Sequence, residues 1–559
     1  MADTADVIVV GGGSAGAVMA ARLSEDPRLR VVLLEAGQDT LPQAVPADIA
    51  DTFPTSFFNR NYFWTNQTGA MRDGEPQRPF LQPKVMGGGS SVMGMISLRG
   101  LATDYDRWEA MGAKGWGWRE VEPAFRALTN DLDADTREQN QPGPYVVRRL
   151  PRASWPLYMH RMEAAAGARA IPSVHDIYTT QGDAFFPLPM AHDDTRSTTA
   201  RCYLDACVRA RPNLRIIARA HVERVLLDGA RATGVRVRHA GGVEDMAARE
   251  VVVSAGALNS PALLLRSGIG DSVALRKSGV TPLIDLPAVG RNYQNHVLLH
   301  FALTLEPNSQ LRPDQRNYVM TGMRASSGVE GCPAGDLFIF LIGRVAPKTF
   351  GTRMGMVAVA LNQPLSRGSV TLASPDPDVA PIVEQALLSD ARDRESMLIA
   401  TRLAERLILE PGVRSCYREA YLLPREAPLR LINGTGMIGA AKALGAAGVL
   451  AAPAAVRKAV MARALAPGRL VADRTQHRPL TDAEILASSG SMFHPSGSCR
   501  MGAVGHAETV VDPECRVVGV DGLRVVDASV MPCLPSANTN LPTIMVAERA
   551  AEMMRRRLG

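Results

Sequence analysis

Several features that mark particular classes of protein are missing from this sequence of 559 residues. Its seven cysteines are scattered and form no C-x-x-C pair, which argues against a disulfide framework and favours reduced thiols in a cytoplasmic protein. None of its ten histidines falls in a metal-ligand motif, so we predict no bound metal. No uncharged apolar run reaches the ~18 residues of a membrane span, and the run at residues 7–10 precedes no signal-peptide cleavage site.

A large charge imbalance is missing as well. The net charge of +6 is small for this length, which argues against a nucleic-acid partner. With 46% hydrophobic and 21% charged residues, the composition is typical of a soluble globular protein, long enough for two or more domains.

A dinucleotide-binding fingerprint is present near the amino terminus. Residues 6–10 form a β-branched apolar run typical of a buried parallel strand, and glycines follow in G-x-G-x-x-G spacing. Residues 15–23 predict a helix, and a second apolar run at 31–34 ends in Glu35. Together these parts indicate dinucleotide binding, and the alternative is a glycine-rich turn without a ligand.

Each part of the fingerprint has a predicted role. Gly11 permits the tight turn, Gly13 lets the backbone approach a pyrophosphate, and Gly16 lets helix and strand pack closely. The helix amino terminus offers N–H groups to the phosphates, and Glu35 is predicted to accept a hydrogen bond from a ribose hydroxyl.

A second glycine cluster, residues 87–91, follows an irregular stretch rich in proline and aromatic residues. Consecutive glycines indicate that the backbone comes close to another group. A flavin plane is a good candidate for that group, and a flexible loop is the alternative.

The middle of the chain predicts further elements. Helices are expected at 104–128 (interrupted at 112–117), 197–209 and 259–267, a meander of strands at 214–217, 222–227 and 232–239, and a buried strand at 249–256. Short strands alternating with loops over 297–425 predict an antiparallel sheet and a second domain.

Residues 425–475 differ from the rest, with fifteen alanines and eight Lys or Arg against two acids. The predicted helical runs are interrupted by Gly445, Gly448 and Pro453. A lid or a segment lying on a membrane surface is one interpretation. We favour the other, an inserted helical loop.

The carboxyl-terminal seventy residues carry a second group of signals. His494 lies in a small, turn-rich segment, and a strand at 522–526 ends in Asp527. A final helix is predicted at 541–557, capped by Asn538, Thr539 or Asn540, with its positive end facing whatever Asn538 faces. A histidine near a flavin suits removal of an alcohol proton, although on residue type alone a structural histidine is commoner.

These stretches resemble the glucose–methanol–choline (GMC) oxidoreductase family over nearly the whole chain. The matching segments are the fingerprint through Gly37, residues 87–91, 256–270, 289–292 with His296, 494–502 and 527–548. Within the family, residues 322–329, 336–338, 387–393 and 537–543 are closest to the bacterial hydroxymethylfurfural oxidase-like aryl-alcohol oxidases.

The resemblance implies an α/β protein: a Rossmann-type FAD-binding domain and an α+β substrate domain built on an antiparallel sheet. We place the FAD-binding domain at 1–155, 197–296 and 483–559, and the substrate domain at 156–196 and 297–482. His494 matches the catalytic histidine and Asn538 its partner. The cofactor contacts, from fingerprint and resemblance together, are Gly11, Gly13, Ser14, Ala15, Gly16, Glu35, Ala36, Gly88, Ser91, Met93, Gly94, Val222, Ala255, Gly256, Phe493, Asp527, Ala528, Asn538, Thr539 and Asn540.

Three departures from the family pattern bear on function. Val92 stands where some relatives attach FAD through a histidine, so non-covalent FAD is expected. Met93 stands where Asn is usual and cannot donate a hydrogen bond. The alanine-rich segment is longer than in the close relatives, so substrate access is expected to differ.

The resemblance implies FAD-dependent oxidation of a primary alcohol, aromatic or furanic, to the aldehyde, with hydride transfer to flavin N5 and His494 as base. The electron acceptor is dioxygen or a quinone. The alternatives are a choline or aliphatic-alcohol dehydrogenase, a lyase of the hydroxynitrile lyase or fatty-acid photodecarboxylase type, and a catalytically silent flavoprotein. Peripheral membrane contact through 425–475 remains open.

Overall fold

The first apolar run forms the strand Ala5–Val10 in the middle of a seven-stranded sheet. The structure is a computed structural model that describes residues 4–134, 142–425, 433 and 436–558. The strand order is Leu214–Ala218, Val31–Glu35, Ala5–Val10, Gly242–Val253, Arg231–His239 and His221–Asp228, with Leu523–Val525 also paired to Gly242–Val253. The strands from 214–218 to 242–253, and 523–525, run parallel, whereas the other two are antiparallel. Ala5–Val10 is buried throughout because neighbours cover both faces of this sheet.

Helices from opposite ends of the chain cover this first sheet. Ser14–Leu23 packs against the last helix, Asn540–Leu558, where Arg22 Nε lies 2.8 Å from the Glu548 carboxylate. The helix Gly256–Arg266 follows the strand Gly242–Val253 directly.

A second sheet of eight strands is antiparallel. Its order is Arg469–Asp473, Tyr417–Leu422, Val297–Leu305, Met354–Leu361, Leu337–Ile342, Val319–Ala325 and Ala184–Pro187, with Gly490–Ser491 paired to Val297–Leu305. One face packs on the helices Leu157–Gly167 and Ala391–Leu409. The opposite face, which includes Phe338, Phe340 and Met356, belongs to the same core as the first sheet.

The remaining elements are short or peripheral. The other helices are Ala47–Ala50, Gly89–Val92, Ala102–Ala110, Trp118–Leu128, Thr199–Tyr203, Ala206–Arg209, Ser272–Lys277, Pro411–Arg414, Gly436–Ala451, Ala454–Ala464 and Asp482–Ser488. Two-stranded pairs are formed by Thr68–Gly69 with Arg78–Pro79, Thr129–Asp131 with Tyr145–Val147, Ile269–Gly270 with Ile284–Asp285, and Ser369–Thr371 with Ile382–Glu384.

The α/β class with an antiparallel second sheet is confirmed, but four local predictions are wrong, three of them in the two sheets and their helices and one in the alanine-rich segment. Leu214–Ala218 is an edge strand of the parallel sheet, paired with Val31–Glu35, and not part of the meander. The helix predicted at 197–209 is two short helices, because the side chains of Thr198 and Asp205 each cap a new start. The helix Ala391–Leu409 lies where only strands and loops were predicted. The domain boundaries stay a prediction.

The alanine-rich segment forms two helices, Gly436–Ala451 and Ala454–Ala464, here called the helical hairpin. Gly445 and Gly448 do not interrupt the first helix, contrary to prediction, and Pro453 caps the second. Part of the segment, 426–432 and 434–435, lies outside the described residues.

A buried ion pair holds the hairpin to the antiparallel sheet. Arg457 Nη2 lies 2.7 Å from a Glu419 oxygen, and both side chains are almost inaccessible. Among the residues that the structure describes, no helix is both long and apolar enough to cross a membrane. Contact of the hairpin with a membrane surface stays a prediction.

Candidate active site

A long cavity opens at the carboxyl edge of the parallel sheet. Every predicted cofactor residue lines it except Gly16 and Ser91. The lining comes from the fingerprint turn, the second glycine cluster, the start of Gly256–Arg266, the turn at 493–495 and the start of the last helix. The fold therefore brings together segments from both ends of the chain.

The fingerprint glycines are needed for close packing. Gly11 has φ +98°, and a Cβ on it would lie 2.5 Å from the Ser254 carbonyl oxygen. A Cβ on Gly16 would lie 1.8 Å from the Gly11 oxygen. Gly16 thus lets helix and strand pack, as predicted, without lining the cavity.

The second glycine cluster approaches the first one. The Gly87 N–H donates to the Gly12 carbonyl over 2.7 Å, and a Cβ on Gly88 would lie 2.8 Å from the Gly13 Cα. The predicted close approach is therefore partly to the fingerprint itself. Ser91 is fully buried and donates to the Met86 carbonyl, so it supports this loop from behind.

Glu35 lies at the cavity with both carboxylate oxygens engaged. They accept from the backbone N–H groups of Gly12 (2.7 Å) and Gly37 (2.6 Å). Burial raises the pKa of this carboxyl, while the two N–H donors act in the opposite direction. The carboxylate therefore holds the fingerprint turn in place, and its remaining lone pairs are free for the predicted ribose contact.

Two helix amino termini meet at the cavity wall. Ser14, at the start of the fingerprint helix, donates to Asn540 Oδ1 over 2.7 Å, and Asn540 begins the last helix. Asn540 Nδ2 in turn donates to the Tyr145 hydroxyl, a cavity residue that the sequence did not indicate. Two positive helix ends suit a phosphate group.

Asp527 acts mainly on its neighbours. One oxygen accepts from the Gly256 N–H (2.9 Å) and the Ser260 hydroxyl (2.5 Å), and the other accepts from the Ser529 N–H (2.8 Å). A Cβ on Gly256 would meet no atom within 4 Å, so the turn that Asp527 holds leaves open space toward the cavity.

His494 lines the cavity and belongs to a chain of hydrogen bonds. Its Nδ1 lies 2.9 Å from Nδ1 of His296, and His296 Nε2 lies 2.9 Å from the Asn362 carbonyl oxygen. On the other side of the ring, Asn538 Nδ2 lies 3.3 Å from His494 Nε2. The family resemblance included His296 in a matching segment but predicted no role for it.

The carbonyl at the end of this chain determines the tautomers. A carbonyl oxygen only accepts, so His296 Nε2 carries the hydrogen and, in the neutral ring, His296 Nδ1 is an acceptor. His494 Nδ1 must then be the donor, which leaves His494 Nε2 without a hydrogen. Burial lowers the pKa of His296 to about 4, and burial with the nearby His296 lowers the pKa of His494 well below its usual range. Both rings are therefore neutral at pH 7.

The backbone around His494 is fixed by side chains behind it. The His494 N–H donates to Asn295 Oδ1 over 2.9 Å, and Asn295 Nδ2 donates to the Ser491 hydroxyl over 2.7 Å. Phe493 has φ +62°, and its ring stacks on Phe80 with centroids 5.8 Å apart. His494 is thus held on a rigid turn.

Positions 92 and 93 face different surroundings. Val92 is fully buried in a cluster with Tyr62 and Phe63 and does not line the cavity, whereas Met93 does. The Met93 carbonyl accepts from Nη1 of Arg196, a buried residue that the sequence did not indicate.

The comparisons with known proteins agree with this arrangement. Two family models described as GMC oxidoreductase match residues 5–298 and 364–547. A 5-(hydroxymethyl)furfural oxidase from Methylovorus sp. strain MP688 is 36% identical over 568 residues, 99% of each chain. An oxygen-dependent choline dehydrogenase from Vibrio vulnificus is 33% identical, covering 98% of this chain and 94% of that one.

Solved structures share the fold over the whole length. The crystal structure of pyridoxine 4-oxidase from Mesorbium loti has a TM-score of 0.78 at 26% identity and covers 99% of each chain. A variant of Aspergillus oryzae formate oxidase has a TM-score of 0.80 at 22% identity, which shows the fold alone. The chain belongs to the GMC oxidoreductases, FAD-dependent enzymes that act on alcohols.

Proposed function

We propose that this protein oxidises a primary aromatic or furanic alcohol to the aldehyde, with His494 as the base and dioxygen as the electron acceptor. The observation that carries the proposal is the hydrogen-bond chain from the Asn362 carbonyl through His296 to His494 Nδ1, because it leaves Nε2 of this cavity-lining histidine without a hydrogen, beside Asn538.

The cavity fits FAD. Open space in front of Gly256, backbone at Gly13 and Gly88, and two helix amino termini at Ser14 and Asn540 suit a dinucleotide. When bound, FAD supplies the acceptor for the hydride of the alcohol carbon. Residues 11–15 and 538–540 would hold its phosphates and ring, and Val92 offers no nucleophile to attach it.

His494 provides the proton acceptor that the alcohol needs. An alcohol hydroxyl ionises far above pH 7, so loss of its hydride is slow unless a base takes the proton. His494 Nε2 has no hydrogen and faces Asn538 Nδ2, which can only donate, at 3.3 Å. Asn538 Oδ1 has no hydrogen-bond partner among the described residues, and a turn of the amide would bring it to face the ring once Nε2 is protonated. Asn538 Oδ1 can accept from the protonated ring or from the substrate hydroxyl.

The surroundings of His494 favour an uncharged substrate. Phe493, Met93, Met95 and Ile96 line this cavity, and its acidic lining residues within the described part of the chain are Glu35 and Asp527. Both acids already accept backbone hydrogen bonds. A flat apolar ring therefore meets matching surface, and a free carboxylate for a choline cation is missing among these lining residues.

A choline-type alcohol is the second candidate, because choline dehydrogenases are among the relatives at 33% identity. The names of the relatives support dioxygen as acceptor, since one is an oxidase and another is oxygen-dependent. A quinone acceptor, non-covalent FAD and a cytoplasmic location stay predictions.

The test is anaerobic mixing of the holoenzyme with benzyl alcohol, 5-(hydroxymethyl)furfural or choline while the flavin absorbance is followed. We expect bleaching by the first two. His494→Ala should keep FAD yet slow the bleaching at least about 10²-fold, whereas the control His506→Ala, an exposed histidine, should not. Bleaching by choline alone, or bleaching of His494→Ala within tenfold of wild type, contradicts the proposal.

A further inference from the structure

Arg196 is a buried cation without a carboxylate partner among the residues that the structure describes. Its side chain is 1% exposed, and Nη1 donates to the carbonyls of Met93 (2.6 Å) and Ser90 (3.2 Å). Nε and Nη2 are buried and have no hydrogen-bond partner within the described part of the chain. By contrast, buried Arg149 contacts the carboxylates of Asp131 and Asp176. Removing a guanidinium from water without pairing it is costly, so its retention calls for a physical reason.

The guanidinium lies one residue behind the cavity wall. Met93 and Ser90, whose carbonyls it binds, both line the cavity. Met93 and Phe57 both pack against the buried cluster that contains Val92, and the Phe57 ring lies 6.2 Å from the ring of Phe493, which precedes His494. Arg196 therefore stands behind the His494 end of the cavity.

Neighbouring charges do not cancel the field of Arg196. The groups that act on its charge are the Tyr145 hydroxyl and the Asp51 carboxylate, and Asp51 already forms an ion pair with Arg316. His192, also near, is held neutral because burial lowers its pKa. Burial lowers the pKa of Arg196 itself only to about 10, so it stays charged at pH 7. In a poorly polarisable interior such a charge acts over several ångströms.

We propose that Arg196 is a charge-tuning residue that raises the reduction potential of the bound flavin. The inference rests on the proposed position of the flavin ring at the His494 end. Two-electron reduction adds negative charge to the flavin, and an uncompensated cation behind Met93 stabilises the reduced state over the oxidised one. The same field favours addition of sulfite, a dianion, to the oxidised ring, and no alcohol is needed for that reaction.

The test compares two substitutions that remove the charge. Arg196→Gln keeps an N–H donor for the Met93 carbonyl, whereas Arg196→Met keeps only bulk. The potential is measured on the holoenzyme by dithionite titration with reference dyes, and sulfite binding by bleaching of the visible flavin band. We expect both variants to lower the equilibrium constant for reduction at least tenfold, about 30 mV for a two-electron couple, and to weaken sulfite binding at least tenfold.

Arg344 provides a matched control. It is also buried and donates to the backbone carbonyls of Pro313, Gln315, Ala346 and Pro347, but it is not among the described residues that line the cavity. Arg344→Gln should leave both quantities within threefold of wild type. The proposal is overturned if Arg196→Gln keeps both the equilibrium constant for reduction and the sulfite affinity within threefold of wild type, or if only Arg196→Met lowers them. Either result would mean that Arg196 acts only through its hydrogen bonds to the loop.

Asp51→Asn decides the question if neither Arg196 variant holds FAD. This change removes a negative charge that acts on Arg196, so sulfite should bind at least twofold more tightly. Unchanged or weaker sulfite binding overturns the proposal. Because sulfite binding involves no alcohol, failure here is distinguishable from failure of the proposed oxidation.

Discussion

Replacing His296 with leucine tests whether the tautomer of His494 is set from behind. His296→Leu removes the acceptor for the His494 Nδ1–H while keeping apolar bulk in a fully buried position. The Nδ1–H then lacks a partner, and leaving a buried donor unsatisfied costs about 1–3 kcal/mol. The other tautomer of His494, with the hydrogen on Nε2, avoids this cost. In that tautomer Nε2 cannot accept the proton of the alcohol.

The size of the effect follows from that cost. A shift of 1–3 kcal/mol in favour of the wrong tautomer lowers the fraction of competent base roughly 5- to 150-fold. Flavin reduction by alcohol, measured by anaerobic stopped flow, should slow by the same factor at saturating substrate. His296→Asn keeps an acceptor oxygen near the Nδ1 position and should be at least about fivefold faster than His296→Leu.

The pH profile separates this role from a structural one. The base must be neutral, and the depressed pKa of His494 keeps it neutral until the pH falls well below 6.5. Wild-type reduction should therefore be flat above pH 6.5 and fall only in more acidic solution. Removing His296 relieves part of the depression, so the fall should move to higher pH. Equal rates and equal profiles in wild type and His296→Leu would refute the reasoning.

Four further outcomes are expected. Acid precipitation should release free FAD into the supernatant because Val92 cannot attach it, and flavin in the pellet would contradict this. Arg457→Met leaves the Glu419 carboxylate buried without its cation, so it should lower the free energy of unfolding by about 3–5 kcal/mol in denaturant titrations. Adding Glu419→Met should restore most of that free energy. Asn538→Ala should slow flavin reduction less than His494→Ala, since a neutral hydrogen bond contributes about 0.5–1.5 kcal/mol, and an equal loss would argue against this ranking. The pKa of His296 in the folded protein is about 4, so the unfolded chain takes up the proton first as the pH falls. The free energy of unfolding should therefore decrease between pH 6.5 and pH 4. In thermal melts, His296→Leu should show a weaker dependence of stability on pH over this range.

Local patterns predicted much of the fold, and tertiary competition explains the rest. The fingerprint strand and helix were predictable because their apolar runs, glycines and acid are close in sequence. The edge position of Leu214–Ala218 was not, because pairing with Val31–Glu35 is decided by distant residues. Gly445 and Gly448 remained helical because intrinsic penalties of about 1 kcal/mol per glycine are offset when the helix buries Ala443 and Leu450 in the core.

The site residues that belong to a sequence motif were predictable, whereas those whose roles depend on contacts formed on folding were not. His494 and Asn538 came from family motifs, and the structure brings them within 3.3 Å. The roles of His296 and Arg196 depend on which atoms face each other after folding, since each contacts partners about a hundred or more residues away. No local spacing encodes such contacts.

The hydrogen bond between Ser14 and Asn540 has a consequence for biosynthesis. It joins residues 526 positions apart, and both line the cofactor cavity. At about 5–20 residues per second, a ribosome needs roughly 25–105 s to make the chain between them. The nascent chain therefore exposes an incomplete nucleotide cradle until Asn540 has been made, and the complete cradle for the flavin can form only after that point.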